Sequence, residues 1–411
     1  MSNRADAITM CGTPEQLGLA WGEVNASEIR QHFAAFIEYS RDKGVGEEEL
    51  LARCSRAGGL ADELSPHWRV ESDAVAEAAG VPADLYFAYH LAKYRDLVFW
   101  DVECTSFAAT GSATATGAAA FHKSRDNTAR EQAGYTKHQE LAGDDVHAFV
   151  SIGDTSDTGV MMMVNEAGLC ASADTGAPDP NPFHQGLMNP WGLRYLAERA
   201  DDCHQALAIL QEWVDERIYA GSARATNWML ADAAGNVLRV VNFNDHLEPE
   251  LIENGFLLNY ERAGLREFMD ERSGRLCPAA LREASRLPSV SMQSTISSLT
   301  VDIDPERAEL SVAWVSLGQP ARAPYVPLSL LAQTTPRALV DGSLYTLAVE
   351  NEAPVESLYE AETESAAMAG EAVAHAATLL DQGDRQAAAE SVEAMSQECA
   401  AKAIVALTAS R

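Results

Sequence analysis

The residue best suited to chemistry in this chain is Cys104, in the stretch "FWDVECTSFAATGSATATGAAAFHKSRDN", residues 99 to 127. A cysteine nucleophile needs a base to take its proton and donors to hold the oxyanion it creates. Ten histidines are present, yet none stands in a recognisable Cys-His context. His122 follows in a second small-residue strand, where a lone histidine is more often a satisfied structural group. A base can also be made covalently. If the peptide bond before a cysteine is cut, the freed α-amino group sits on the nucleophile's own residue. Its pKa of about 8 suits proton exchange at neutral pH.

The elements that must position Cys104 change character at that residue. Up to about residue 100 the chain reads as helices: "ASEIRQHFAAFIEYSR" puts Ile29, Phe33, Phe36 and Ile37 on one face, and "ADLYFAYHLAKYRDLVFW" is a second apolar helix. From Cys104 to about Gly176 the pattern is strands, with "HAFVSIG" and "GVMMMVNEAGLCASADTG" turning at Asn165 to Gly168. A helical stretch over about Trp191 to Ile218 follows, with Leu207, Leu210 and Val214 on one face. Three hairpins are then expected, about "DAAGN", about Asn254-Gly255 in "LIENGFLLN", and about Asp304-Pro305. The Ala/Glu-rich end breaks at "DQGD" into a helical hairpin, with Val392, Met395 and Cys399 at helical spacing. Hairpin-linked strands between blocks of helices predict an α+β body with antiparallel sheets and helices on their faces.

The order of these pieces resembles the self-processing acyltransferases and hydrolases related to acyl-coenzyme A:6-aminopenicillanic acid acyltransferase, peptidase family C45 of the N-terminal nucleophile (Ntn) hydrolases. "ECTSF" matches the Cys-Thr that opens the family's β chain. Ser124-Arg125-Asp126 falls where the family has Asn-x-Asp, keeping the Asp and replacing the Asn. "GTPEQLGLAWGEVNASEIRQHF", with Gly12, Gly18 and Gly22, is similar to the family's opening helix, and "VNEAGLCASADTG", "DCHQALAILQEW", "NWMLADAAGNVLRVV" and "FLLNYE" resemble later pieces in order. The likeness spans roughly residues 10 to 320 and omits the terminal hairpin.

The resemblance implies a four-layer αββα sandwich of antiparallel sheets with a C-terminal helical hairpin appended. It divides the chain into 1–103, the mostly helical α chain; 104–345, the catalytic body of the β chain; and 346–411, the hairpin. It further implies self-cleavage between Glu103 and Cys104 through an N-to-S acyl shift, with the two chains remaining associated. Cys104 would then attack a small-molecule amide or thioester. By residue match, Asn259 would contribute to the oxyanion hole, and Asp126 with Arg125 would hold the cleavage segment or the new amino terminus. Asp174 and Thr175 would line the pocket. Asn227 is a second candidate for the oxyanion, against a reading as a hydrogen-bonded strand residue. Gln293-Ser294 stands where the penicillin-forming enzyme carries a cation, which argues for a small-amide hydrolase or an acyltransferase acting on another amine.

Composition narrows the alternatives. Sixty-one acidic against thirty basic residues give a formal charge of -31, which repels nucleic acid and anionic membrane faces. Seven scattered cysteines with no C-x-x-C pair suggest neither a disulfide framework nor a zinc cluster. Cys170 and Cys203 read as core. No signal-peptide core and no run of about twenty apolar residues is present, so a cytoplasmic protein without membrane contact is expected. No metal or cofactor is called for, although a coenzyme A thioester is a candidate acyl donor and a homo-oligomer is a candidate assembly. Ser124 in place of Asn, and Glu103 before the cut, keep open an unprocessed Ntn-fold binding or structural protein. A Cys-His thiol hydrolase without cleavage is a third class.

Overall fold

In the computed structural model residues 7–92, 104–127, 135–141, 146–221, 223–350 and 355–408 are described. Two short strands, β1 (Ala7–Thr9) and β2 (Cys11–Gly12), precede helices α1 (Pro14–Asp42), α2 (Glu47–Leu64), α3 (His67–Ala79) and α4 (Ala83–Ala92). Thr13 and Gln16 close a capping box at the start of α1, with Pro14 in its first turn. The expected apolar face is buried through Ile29, Phe33, Phe36 and Ile37. Gly18 and Gly22 let α1 approach α3 closely, since a Cβ at Gly18 would meet the Glu71 carbonyl oxygen at 2.3 Å and one at Gly22 the Val75 oxygen at 2.7 Å.

The strands that follow are β3 (Thr105–Thr110), β4 (Ala120–Asp126), β5 (Tyr135–Leu141), β6 (Phe149–Gly153), β7 (Met162–Asn165) and β8 (Cys170–Pro178). After α5 (Asn189–Arg199) and α6 (Cys203–Asp215) come β9 (Arg224–Ala231), β10 (Val237–Asn242), β11 (Leu247–Ile252) and β12 (Gly255–Leu258). Helices α7 (Leu265–Glu271) and α8 (Pro278–Ala284) lead to β13 (Thr295–Asp302), β14 (Val312–Leu317), β15 (Val326–Ser329) and β16 (Thr334–Pro336). The chain then enters α9 (Arg337–Val340), α10 (Ser343–Val349), α11 (Val355–Asp381) and α12 (Arg385–Thr408).

Among the described residues these strands form an eight-stranded sheet in the order β11-β10-β9-β8-β7-β6-β5-β2, a six-stranded sheet in the order β12-β3-β4-β13-β14-β15, and a separate pair of β1 with β16. Pairing is antiparallel except for β2 on β5. Trp21, Trp68, Trp191 and Trp213 of the helices share one core with Phe149, Met163 and Trp228 on the outer face of the eight-stranded sheet. Val150, Met162 and Met229 on its inner face meet Phe121, Leu299 and Val301 of the second sheet. Phe107, Ala109 and Ala120 on that sheet's outer face pack under Leu265, Phe268 and Leu281 of α7 and α8. The layering is therefore αββα, with α11 and α12 as a helical hairpin against the edge of the six-stranded sheet.

Two expectations need correction. The stretch about Asn254-Gly255 is no hairpin: β11 is an edge of one sheet and β12 an edge of the other, so the chain changes sheets there. The Asn254 side chain accepts a hydrogen bond from the Ser112 amide at 3.0 Å, which fastens the crossing to the end of β3. The helix over Trp191 to Ile218 is two helices, because Asp202 N-caps α6 by accepting from the Gln205 amide at 2.8 Å. Between the α-layer and α5, buried Arg194 is ion-paired with Glu71 and Glu198, and Glu198 also accepts from Trp68.

Candidate active site

Strand alternation builds the site. In β3, Phe107 and Ala109 face outward and Ala108 inward, so the side chains of Cys104 and Ser106 fall on the inner side. In β4, Phe121 faces inward and places Lys123 and Arg125 there too. Ser106 and Lys123 are direct cross-strand partners. On the facing sheet Cys170 points inward, and so do Ser172 and Asp174 two and four residues on. Asn227, opposite Asp174 in β9, and Asn259, just past β12, complete the same end of the inter-sheet space.

These groups form one connected set. Lys123 donates to the Asp174 carboxylate and to the Ala173 carbonyl at 2.9 Å, and it is hydrogen-bonded to Cys104. Ser106 donates to Asp174 at 2.9 Å, and Asn259 Nδ2 donates to Asp174 Oδ2 at 3.0 Å. The other Nδ2 hydrogen of Asn259 reaches the Asn227 carbonyl at 3.2 Å, and its Oδ1 is buried without a hydrogen-bond partner among the described residues. Burial pulls the Lys123 ammonium down, but the Asp174 carboxylate and Cys104 outweigh it, and its pKa lies above the ordinary value.

Cys104 itself is half-buried at the head of β3. Burial pushes its thiol above the ordinary value, against the pull of Lys123 and of the Asp126 backbone N–H, with the carboxylates of Asp174 and Asp126 adding to the rise. Asp126 lies on the outer face with His122 and Ser124. Its Oδ1 accepts from Thr295 at 2.5 Å, while its Oδ2 is buried without a hydrogen-bond partner among the described residues. Burial raises this carboxyl to about 7, against the Thr295 hydrogen bond and the charges of Lys123 and Arg262.

The folded chain therefore holds the Asp126 proton more tightly than the unfolded chain, so this group's stabilisation is complete below about pH 4 and is lost as pH rises through about 7. In a Cys104→Ala background, Asp126→Asn should gain about 3 kcal/mol relative to Asp126 between about pH 4.5 and pH 7.5, read by urea unfolding. A difference independent of pH would show that Asp126 titrates normally.

The remaining candidates separate. Arg125 faces inward but is ion-paired with Asp154 at 2.5 Å, in the turn after β6. Thr175 is on the face of β8 opposite to Asp174 and takes no part in the cluster. Glu103, the residue before the expected cut, lies outside the described residues. His122 is held by Thr300 at 2.8 Å and Ser124 at 3.0 Å, and burial keeps it well below its usual pKa, so its ring is tied off on the far face of β4. Sequence reasoning missed three groups: Lys123, Ser106 and Arg262, whose Nε donates to Thr105 at 3.1 Å. A lysine inside an otherwise buried strand was the signal for the first of them. No cluster of His, Cys, Asp and Glu among the described residues could hold a metal, and no helix among them is long and apolar enough to cross a membrane.

No family model and no curated protein matches the sequence. Solved structures similar to this chain include a penicillin V acylase from Agrobacterium tumefaciens, at 14% identity and TM-score 0.40 over 55% of this chain and 86% of that one. An N-acylethanolamine-hydrolyzing acid amidase ortholog of Caenorhabditis elegans is similar at 12% identity and TM-score 0.38, covering 52% and 99%. A conjugated bile acid hydrolase from Clostridium perfringens is similar at 11% identity and TM-score 0.34, covering 55% and 92%.

Proposed function

We propose that the protein is a self-processing cysteine Ntn hydrolase or acyltransferase that acts on a small-molecule amide or thioester. One observation carries this reading: the Cys104 thiol heads an inner strand between two sheets, against the Lys123 ammonium and the Asp126 amide, while the neighbouring His122 is committed elsewhere. With His122 tied off, the base in this reading is the α-amino group of Cys104 itself, freed by the cleavage.

In the first step the Cys104 sulfur attacks the Glu103 carbonyl carbon and the peptide C–N bond breaks. The acyl group passes to sulfur as a thioester, and the nitrogen leaves as the α-amine of Cys104. Water then cleaves the thioester, giving the Glu103 carboxylate and a free thiol. In turnover the α-amine takes the thiol proton as sulfur adds to the substrate carbonyl, and returns it to the leaving group, the amine of an amide or the thiolate of a thioester. Water, or a second amine, releases the acyl group. Lys123 offsets the charge that develops on sulfur and on the oxyanion. Asn259 would join that work by exchanging its bond to the Asn227 carbonyl for one to the oxyanion, a donor typically worth about 3 kcal/mol of barrier. Asp126 Oδ2, buried without a hydrogen-bond partner among the described residues, is available to the new α-ammonium group.

The test is a denaturing gel of the purified wild type with N-terminal sequencing. Two fragments are expected, the larger starting Cys-Thr-Ser-Phe. A single intact chain would overturn the proposal and leave the unprocessed binding protein as the reading.

A further inference from the structure

A cavity of about 640 Å³ opens between α8, the β13–β14 hairpin and α11, at the far end of β4 from Cys104. One wall is α11, where Ala366, Ala369, Gly370 and Val373 leave room, and a Cβ built at Gly370 meets nothing within 4 Å. Opposite stands Arg282. Its residue is only 6% exposed, and its guanidinium lies over the Trp314 ring at 4.0 Å. Among the described residues its Nη1 is buried without a hydrogen-bond partner, and the guanidinium forms no ion pair. Of the two carboxylates whose charge reaches Arg282, Glu362 is ion-paired with Arg286 and accepts from the Tyr325 amide at 2.9 Å, and Asp302 stands on the cavity wall without forming an ion pair with Arg282.

A buried guanidinium with an open donor is costly unless an anion completes it. From the cavity's apolar walls and this unpartnered Nη1, we infer that it is a binding site for a small monocarboxylate with an apolar body. The carboxylate would meet Arg282 and the apolar part would lie along α11. A carboxylate matches the planar guanidinium with two oxygens. The carboxylates of Asp302, Asp304 and Glu306, also lining the cavity, disfavour ligands of higher negative charge. This site is separate from Cys104, and the inference does not rest on the proposed activity.

Isothermal titration of the full chain with octanoate, against its neutral counterpart octanamide, tests it. Octanoate should bind saturably, with octanamide at least about ten-fold weaker, the difference expected for a hydrogen bond to a charged group. Arg282→Met removes the fork, and Gly370→Leu fills the cavity from a helix that tolerates leucine better than glycine. Each should weaken octanoate at least about ten-fold, and Gly370→Leu serves if Arg282→Met does not fold. No saturable binding at millimolar octanoate, equal binding of octanamide, or binding untouched by the substitutions would overturn the inference.

Discussion

Purified Cys104→Ala protein is expected to run as one intact chain of 411 residues, where the wild type should give Met1–Glu103 and Cys104–Arg411. Its amide or thioester turnover should fall by at least about 10³-fold, since removing a nucleophile abolishes covalent catalysis and leaves only what binding and oxyanion donors contribute. Folding should survive, because the side chain is half-buried and its removal leaves the Lys123–Asp174 pair in place. Cys104→Ser separates two dependences. An N-to-O shift can still cut the chain slowly, so this variant should be partly processed while its turnover stays low, as the hydroxyl is the weaker nucleophile. Turnover that persists in Cys104→Ala would remove Cys104 as the nucleophile, and processing that persists would place the cut under another residue's control.

Much of this site could be read from the residues because strand alternation is short-range. "ECTSF" and "HKSRD" each announce which side chains share a face, and a β-strand obeys that period wherever it lies. What alternation cannot announce is the facing partner. Asp174 and Asn259 were singled out by resemblance, but the convergence of Asn259 and Lys123 on Asp174 depends on how two sheets stack, a contact between residues some fifty to eighty-five positions apart. A strand lysine usually marks a solvated face, and here the second sheet covers Lys123. The Asn254-Gly255 pair misled for a related reason. An Asn-Gly pair reports a local turn, while the sheet that receives the next strand is decided by pairing with β3, a segment far earlier in the chain. Helix boundaries at residues 199 to 203 were lost to continuous apolar periodicity, although Asp202 carried the capping signal.

Lys123→Met should produce the second large effect, and it tests whether the buried lysine serves the fold, the chemistry, or both. The substitution leaves the Asp174 carboxylate in the inter-sheet space with only the neutral donors Ser106 and Asn259. Breaking such a buried pair from one side typically costs about 3–5 kcal/mol, so the variant's urea midpoint should drop sharply. Adding Asp174→Asn removes the stranded charge and should recover most of that stability. Processing and turnover should not recover with it. The cation that counters the charge on the Cys104 sulfur is still absent, and the thiol sits in an environment that already raises its pKa. Lys123→Arg keeps the charge on a planar, bulkier group and is expected to retain part of both properties. Activity is therefore the discriminating readout. If the double variant regains self-cleavage along with stability, Lys123 is a structural partner of Asp174 and the thiol is activated without it.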